Sequence, residues 1–263
     1  MKFPLSLLLA GIVAFCMAAA PSARAADEIS IAAAADLAKC MQELNAAFQK
    51  DHPGANVKVS TGSSGNFFEQ IKNGAPFDIF LSADIGYPKQ LADAGLADKQ
   101  SITVYAHGRI ALWTTSDKID VSKGLDILKD MQLIKKIAIA NPDHAPYGRA
   151  AKAALEHYGL WVAVKDRLVI GENISQTAQF VQSGNADAGI VALSLIIDPK
   201  SGKAPPHTYV IPVDSYPPLE QAAVLTSAGS RNPLAKSYLE FLRSDAARKI
   251  FDRYGFLLNN NAQ

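Results

Sequence analysis

The sequence has few cysteines and no surplus of positive charge. Only Cys16 and Cys40 occur among its 263 residues. Cys16 falls in the apolar N-terminal stretch described below, so the rest of the chain has one cysteine and no possible internal disulfide. Basic and acidic residues number 26 and 25. Without a basic surplus, the chain is not expected to bind nucleic acid or an anionic membrane surface.

Long hydrophobic runs are confined to the first residues. Lys2 precedes an apolar run from Pro4 to Ala20, and Ser-Ala-Arg-Ala at 22–25 puts small residues at positions −3 and −1 of a cut after Ala25. This pattern is typical of a secretory signal peptide over residues 1–25. No later run approaches the ~20 apolar residues of a transmembrane helix. We therefore expect export to the periplasm and no membrane insertion after cleavage.

Motifs for catalysis or cation binding are also scarce. The five histidines and the acids show no HExxH-like spacing, and no nucleophile-elbow sequence occurs. We expect neither an enzyme, nor a site for a bare metal cation, nor a cofactor. Ser63 or Ser64 as a nucleophile is the rival hypothesis, because Ser–His–acid systems are recognised by geometry. His144 lies in a predicted site loop, where we expect it to hydrogen-bond its own turn.

Strand and helix patterns alternate through the rest of the chain, which is 49% hydrophobic and 19% charged. This alternation predicts an α/β fold with mixed, mostly parallel sheets flanked by helices. The final pattern predicts one long helix from Pro233 to Gly255. Ligands of such folds bind beyond the carboxyl ends of the strands, where helices begin.

The stretch Val57–Asp84 carries the clearest functional signal. A short strand runs into Gly-Ser-Ser-Gly at 62–65 and then into a helix with Phe67, Phe68 and Ile71 on one face. A turn of this kind leaves backbone N–H groups and two hydroxyls near one point. It therefore predicts a cradle for a small anion.

Three further strand-to-helix turns carry small or polar residues, at Asp36, Asn141–Gly148 and Glu172–Ser175. Asp36 is expected to cap its helix, and Asn173 or Ser175 to cap the last one. Each helix N-terminus behaves as about half a positive charge. Four of them could stabilise a dianion without lysine or arginine.

In this order, these motifs resemble the periplasmic molybdate-binding proteins of ABC importers, which have the type II periplasmic binding fold. The motifs are AAADL at 33–37, GSSG…QIKNGAPFDIFLSAD at 62–84, NPDHAPYGRAAKAAL at 141–155, ENI…AQFVQSGNADAGIV at 172–191 and AARKIFDRYGF at 246–256. The resemblance covers essentially the whole chain after residue 25. It implies a monomer that captures molybdate, and tungstate, in a cleft between two lobes and delivers it to a membrane permease.

The resemblance also implies the boundaries of the lobes. Lobe I comprises residues 26–107 with 216–263, and lobe II comprises residues 108–215. The chain is expected to leave the first lobe near Tyr105–Arg109 and to return near Val213–Pro217. Closure about these two hinge strands would bring both lobes onto the anion.

The family's binding residues can be carried over position by position, to Asp36, Ser63, Ser64, Tyr147, Ile174 and Ala192. Ser64 matches a ligand serine with Ser63 beside it, and Tyr147 and Ile174 match backbone N–H donors. Asp36 stands where the family often has serine, and Ala192 where some members have a tyrosine whose hydroxyl reaches the anion.

The two departures carry expectations of their own. An ionised Asp36 would repel a dianion, so we expect its carboxylate to turn away and cap its own helix while its N–H faces the ligand. The Tyr147 hydroxyl is expected to replace the hydroxyl missing at Ala192.

Two other ligands remain open for the same fold. Sulfate has the charge of molybdate but is smaller, so cavity size would have to distinguish them. An amino-acid-binding protein would usually place an arginine against the carboxylate. Arg109 and Arg149 are the candidates, although we expect both on solvated surfaces.

Overall fold

The computed structural model describes residues 28–258, so the predicted signal peptide lies outside the described residues. Its strands are β1 (Glu28–Ala34), β2 (Asn56–Gly62), β3 (Ile79–Ser82), β4 (Thr103–Gly108), β5 (Ile110–Trp113), β6 (Ile137–Ala140), β7 (Leu168–Gly171), β8 (Ala188–Ala192), β9 (Thr208–Val210) and β10 (Leu219–Leu225).

The α-helices are α1 (Cys40–Asp51), α2 (Ser64–Lys72), α3 (Gly86–Asp93), α4 (Pro146–His157), α5 (Trp161–Val164), α6 (Ile174–Gln182), α7 (Leu193–Ile196), α8 (Pro233–Phe241) and α9 (Asp245–Arg253). Turns of 3₁₀-helix cover Ala35–Leu37, Lys99–Ser101, Val121–Lys129, Lys165–Arg167, Val213–Ser215 and Gly229–Arg231.

The strands form two five-stranded sheets, in the orders β2-β1-β3-β10-β4 and β7-β6-β8-β5-β9. We call the first sheet with α1–α3, α8 and α9 half 1, and the second sheet with α4–α7 half 2. In each sheet the first three strands run parallel, and the remaining pairs are antiparallel. The sheets are therefore mixed, as the sequence predicts, with the parallel pairs limited to those three strands.

Both faces of each sheet are covered by helices. Along β1, Ile29 and Ile31 pack in the cluster that includes α1, α8 and α9. Ala32 points to the opposite face of the sheet and packs in the cluster that includes α2 and α3. Because side chains alternate along a strand, a strand covered on both faces becomes continuously apolar.

The chain crosses between the sheets twice. β4 ends at Gly108 in the first sheet, and β5 begins at Ile110 in the second. The return runs between Val210 at the end of β9 and Leu219 at the start of β10. The residue bounds of the two lobes stay a prediction.

The C-terminal region corrects one expectation. The predicted single helix is two helices, α8 and α9, which are separated at Leu242–Ser244. The Ser244 side chain accepts a hydrogen bond from Ala247 N and so caps α9. A serine that caps a helix competes with a continuous helix through the same residue. Asn232 caps α8 through Leu234 N and Ala235 N.

Candidate functional site

The start of α2 supplies the two predicted serines. Ser63 is the N-cap residue, and its Oγ accepts a hydrogen bond from Asn66 N at 3.2 Å. Ser64 is the first helical residue, and its Oγ accepts a hydrogen bond from Ala83 N at 3.0 Å. Because that contact uses only a lone pair, the Ser64 hydroxyl hydrogen remains available for a ligand.

The start of α4 presents Tyr147 through its backbone. Pro146 occupies the first turn, where its missing N–H costs nothing, and Tyr147 follows it. Contrary to expectation, the Tyr147 hydroxyl bonds to other residues of the protein. It donates to Asp36 Oδ2 at 2.9 Å and accepts from Gln221 Nε2 at 3.2 Å. The long Tyr147 side chain reaches past the start of α4 to half 1. Its hydroxyl group therefore joins the two halves and does not donate to a ligand as expected.

The start of α6 presents Ile174. Asn173 caps this helix, and its Oδ1 accepts hydrogen bonds from Ser175 N and Gln176 N, each at 3.0 Å. Ile174 is the first helical residue and is buried. N–H groups in a first turn have no intrahelical carbonyl partner, so Ile174 N–H is suited to an anion.

Asp36 lies in the short 3₁₀ turn after β1 and does not cap it, which corrects the sequence-based expectation. Its carboxylate is fully buried, and Oδ2 accepts from Tyr147 Oη and from Gln221 Nε2 at 2.8 Å. Burial raises the pKa of Asp36 to about 7, while hydrogen bonds from Tyr147, its own backbone and Gln221 act in the opposite direction. The Asp36 side chain points inward, where the Tyr147 hydroxyl of half 2 and the Gln221 amide of β10 donate hydrogen bonds to it.

These helix starts line one small cavity between the halves. Its lining residues are Ala34, Ala35, Asp36, Gly62, Ser63, Ser64, Ala83, Ala145, Pro146, Tyr147 and Ile174. No lysine or arginine within residues 28–258 lines it. The structure thus brings together five of the six predicted site residues.

Ala192 is the predicted site residue that does not line this cavity. It ends β8, pairs with Ile110 and is fully buried. The turn that follows Ala192 contacts Asp36 instead, because Ser194 Oγ donates a hydrogen bond to the backbone oxygen of Asp36 at 2.8 Å.

Polar contacts across the cavity mouth hold the two halves together. Gly65 N donates to His144 O at 2.9 Å, and His144 Nδ1 lies 2.9 Å from Ser63 Oγ. His144 therefore contacts half 1 rather than only its own turn, which corrects the earlier expectation. Glu172 Oε1 accepts from Asn66 Nδ2 at 2.7 Å.

Neither candidate arginine is positioned for a ligand carboxylate in the cavity. Arg149 is half-buried and pairs with Asp84 at 2.6 Å, and it also donates to Tyr87 Oη at 3.1 Å. Arg109 donates through Nε to Gly255 O at 2.7 Å. Both side chains keep some exposure to solvent, and each also has a specific partner in the protein.

Sequence reasoning missed Gln221, which joins Asp36 and Tyr147 from the middle of β10. Nothing in the strand pattern around it distinguished this glutamine. In the described part of the chain, no group of three or more His, Cys, Asp or Glu is arranged to hold a metal ion. None of the helices described is both long and apolar enough to cross a membrane.

The chain matches a family model described as bacterial extracellular solute-binding protein over residues 29–257. It is 38% identical to the molybdate-binding protein ModA of Azotobacter vinelandii, over 97% of this chain and 99% of that protein. It is 36% identical to ModA of Rhodobacter capsulatus, over 89% of each chain.

Among solved structures, the chain is similar to the periplasmic molybdate-binding protein of A. vinelandii. The TM-score is 0.82 at 32% identity, and the match covers 88% of this chain and 99% of that one. The predicted fold class is therefore confirmed.

Proposed function

The chain belongs to the family of bacterial extracellular solute-binding proteins, and from this premise we propose that it captures molybdate in the cavity between its halves. Like its molybdate-binding relatives, it acts by binding rather than by catalysis, and in this proposal it serves an ABC importer. The bound anion is cargo, and the protein needs no cofactor.

One observation carries this proposal: three α-helix starts and a serine hydroxyl surround one small cavity that has no lysine or arginine in its lining. Each helix start offers N–H groups and about half a positive charge. Neutral donors of this kind suit an anion that stays fully deprotonated. Ser64 Oγ and the backbone N–H groups of Ser64, Tyr147 and Ile174 are the proposed donors.

The rival ligands fit this geometry less well. An amino acid would need a cation for its carboxylate, and Arg149 already pairs with Asp84 outside the cavity lining. Sulfate would find the same donors, so it must be separated from molybdate by size alone. Tungstate resembles molybdate in charge and shape, and we include it as a second ligand.

The location and partners follow from the same family. The protein acts in the periplasm as a monomer and delivers its anion to the membrane permease of an ABC importer. The lobes predicted at residues 26–107 with 216–263 and at 108–215 close on the anion about the two crossings between the sheets.

A titration of the purified protein, stripped of bound anion, tests this function. We expect molybdate and tungstate, added separately, to raise the melting temperature and to bind one per chain by calorimetry, because a ligand of the native state stabilises it. Sulfate and phosphate should do neither. A response to sulfate alone would contradict the proposed ligand and leave the oxyanion site standing.

Ser64→Ala tests the site itself. A hydrogen bond to a charged group contributes about 1.5–3 kcal/mol, so the variant should bind molybdate roughly 10- to 150-fold more weakly. Ser183→Ala, an exposed serine at the end of α6, is the matched control and should bind normally. Arg149→Ala should weaken binding by no more than about fivefold, because it loses only the half-buried ion pair with Asp84. The reverse pattern would favour capture of a carboxylate ligand.

A further inference from the structure

One oxygen of the Asp36 carboxyl group has no hydrogen-bond partner within residues 28–258. Oδ2 accepts hydrogen bonds from Tyr147 Oη and Gln221 Nε2. Oδ1 is buried and has no hydrogen-bond partner among the described residues. Since Asp36 lines the cavity, the oxygen left for a ligand is Oδ1.

Within residues 28–258, no lysine or arginine lines the cavity beside Asp36, so only the partial positive charges of the helix starts oppose the carboxylate charge. The groups that act on it from neighbouring elements are neutral: Tyr147 on α4, Gln221 on β10, Ser194 on α7, Cys40 on α1 and Tyr105 on β4. Burial raises the pKa values of the Cys40 thiol and of the Tyr105 and Tyr147 hydroxyls well above their usual range, so they carry no charge at neutral pH.

A dianion in this cavity would meet a like charge at Oδ1. Two negative groups in contact in a dry site repel strongly, and one of them then takes up a proton. The donors on Oδ2 hold the carboxyl group in place, so it cannot rotate away without breaking both contacts. A proton on Oδ1 would turn that oxygen from an acceptor into a donor.

We propose that binding of the oxyanion dianion brings one proton from solvent onto Asp36 Oδ1, which then donates a hydrogen bond to a ligand oxygen. This inference rests on the proposed function and specifies how the site accepts the charge of its ligand. Asp36 is thus a binding residue in its neutral form. The carboxylate form discriminates against the dianion.

The pH dependence follows from linkage. The pKa of Asp36 in the protein without ligand is about 7, and the bound dianion raises it further. Below about pH 7 the proton is already present, so affinity is flat. Above it, affinity falls by up to about tenfold per pH unit, because one proton must be taken up. Between about pH 7 and about pH 9 the expected loss is therefore up to about 100-fold.

Calorimetric titration with molybdate at about pH 8.5, in buffers of different ionisation enthalpy, counts this proton. We expect uptake of about one proton by the wild type and none by Asp36→Asn. The asparagine keeps an oxygen for Tyr147 and Gln221 and presents an N–H₂ donor in place of Oδ1. Its affinity should not change with pH and should exceed the wild-type affinity at about pH 9.

Two controls identify the proton acceptor. Asp143→Asn changes an exposed acid in the loop before α4 and should retain the uptake. His144→Gln changes the imidazole that contacts Ser63 and should also retain it. Uptake that persists in Asp36→Asn but disappears in His144→Gln would overturn the proposal.

The outcomes separate this inference from the proposed function. Molybdate binding by the wild type with no proton uptake would overturn the role of Asp36 and leave molybdate capture intact. Absence of any molybdate binding between about pH 6 and about pH 9 would overturn both. Should Asp36→Asn fail to fold, the wild-type proton count decides alone.

Discussion

Gly65 lies where the two halves touch. Replacing it with alanine should weaken ligand binding, although the new side chain would not contact the ligand. Its N–H donates to His144 O across the cavity mouth. A Cβ at this position would lie 2.4 Å from His144 O and 2.9 Å from His144 Cβ. Ordinary contacts begin at 3.4 Å, so the halves would have to separate by about 1 Å, a gap that also breaks the hydrogen bond.

The size of the effect follows from the cost of overpacking. Extra atoms in a packed contact cost about 1–3 kcal/mol, which corresponds to a loss of about 5- to 150-fold in affinity. Half 1 alone should not be destabilised, because alanine is favoured over glycine inside a helix by up to about 1 kcal/mol. The third close atom, Tyr87 Oη at 2.9 Å, ends a side chain that can move aside.

The assay is calorimetric titration with molybdate, together with thermal unfolding of the protein without ligand. Gly65→Ala should lose affinity for molybdate relative to the wild type. Gln70→Ala, an exposed position on the same helix, is the control and should change neither the affinity nor the melting temperature. An unchanged affinity in Gly65→Ala would refute the claim that ligand binding depends on the contact between Gly65 and His144.

Three further predictions follow from single contacts. The raised pKa of Asp36 means that its burial lowers the stability of the fold as pH rises from 3.8 to about 7. Asp36→Asn should remove up to about 4 kcal/mol of this loss, measured by urea unfolding at low and high pH. Asp84→Asn breaks a half-buried ion pair with Arg149; it should weaken molybdate binding by no more than about fivefold, and by less at high salt. Cys40 is fully buried and burial raises its thiol pKa; it should react with a thiol reagent only after unfolding, and fast labelling of the native protein would contradict its placement.

The local parts of the site could be predicted from the sequence. Gly-Ser-Ser-Gly, Ala-Pro-Tyr and Glu-Asn-Ile mark helix starts by their own chemistry, because small and capping residues directly set the conformation of a first turn. The structure accordingly places Ser63, Ser64, Tyr147 and Ile174 around one cavity.

The long-range parts could not be predicted in this way. Asp36 bonds to Gln221 and Tyr147, which are 185 and 111 positions away in the chain. A capping rule considers only the next turn, and it assigned Asp36 to its own helix. Likewise, His144 contacts Ser63 because the halves meet, which no local pattern encodes.

The most direct test of the central claim is a crystal structure of the protein with molybdate, in which anomalous scattering locates the molybdenum atom. The account predicts one strong peak inside the cavity lined by Asp36, Ser64, Tyr147 and Ile174, with its oxygens facing the three helix starts. A molybdate-loaded protein with that cavity empty and its anomalous peak elsewhere would contradict the account.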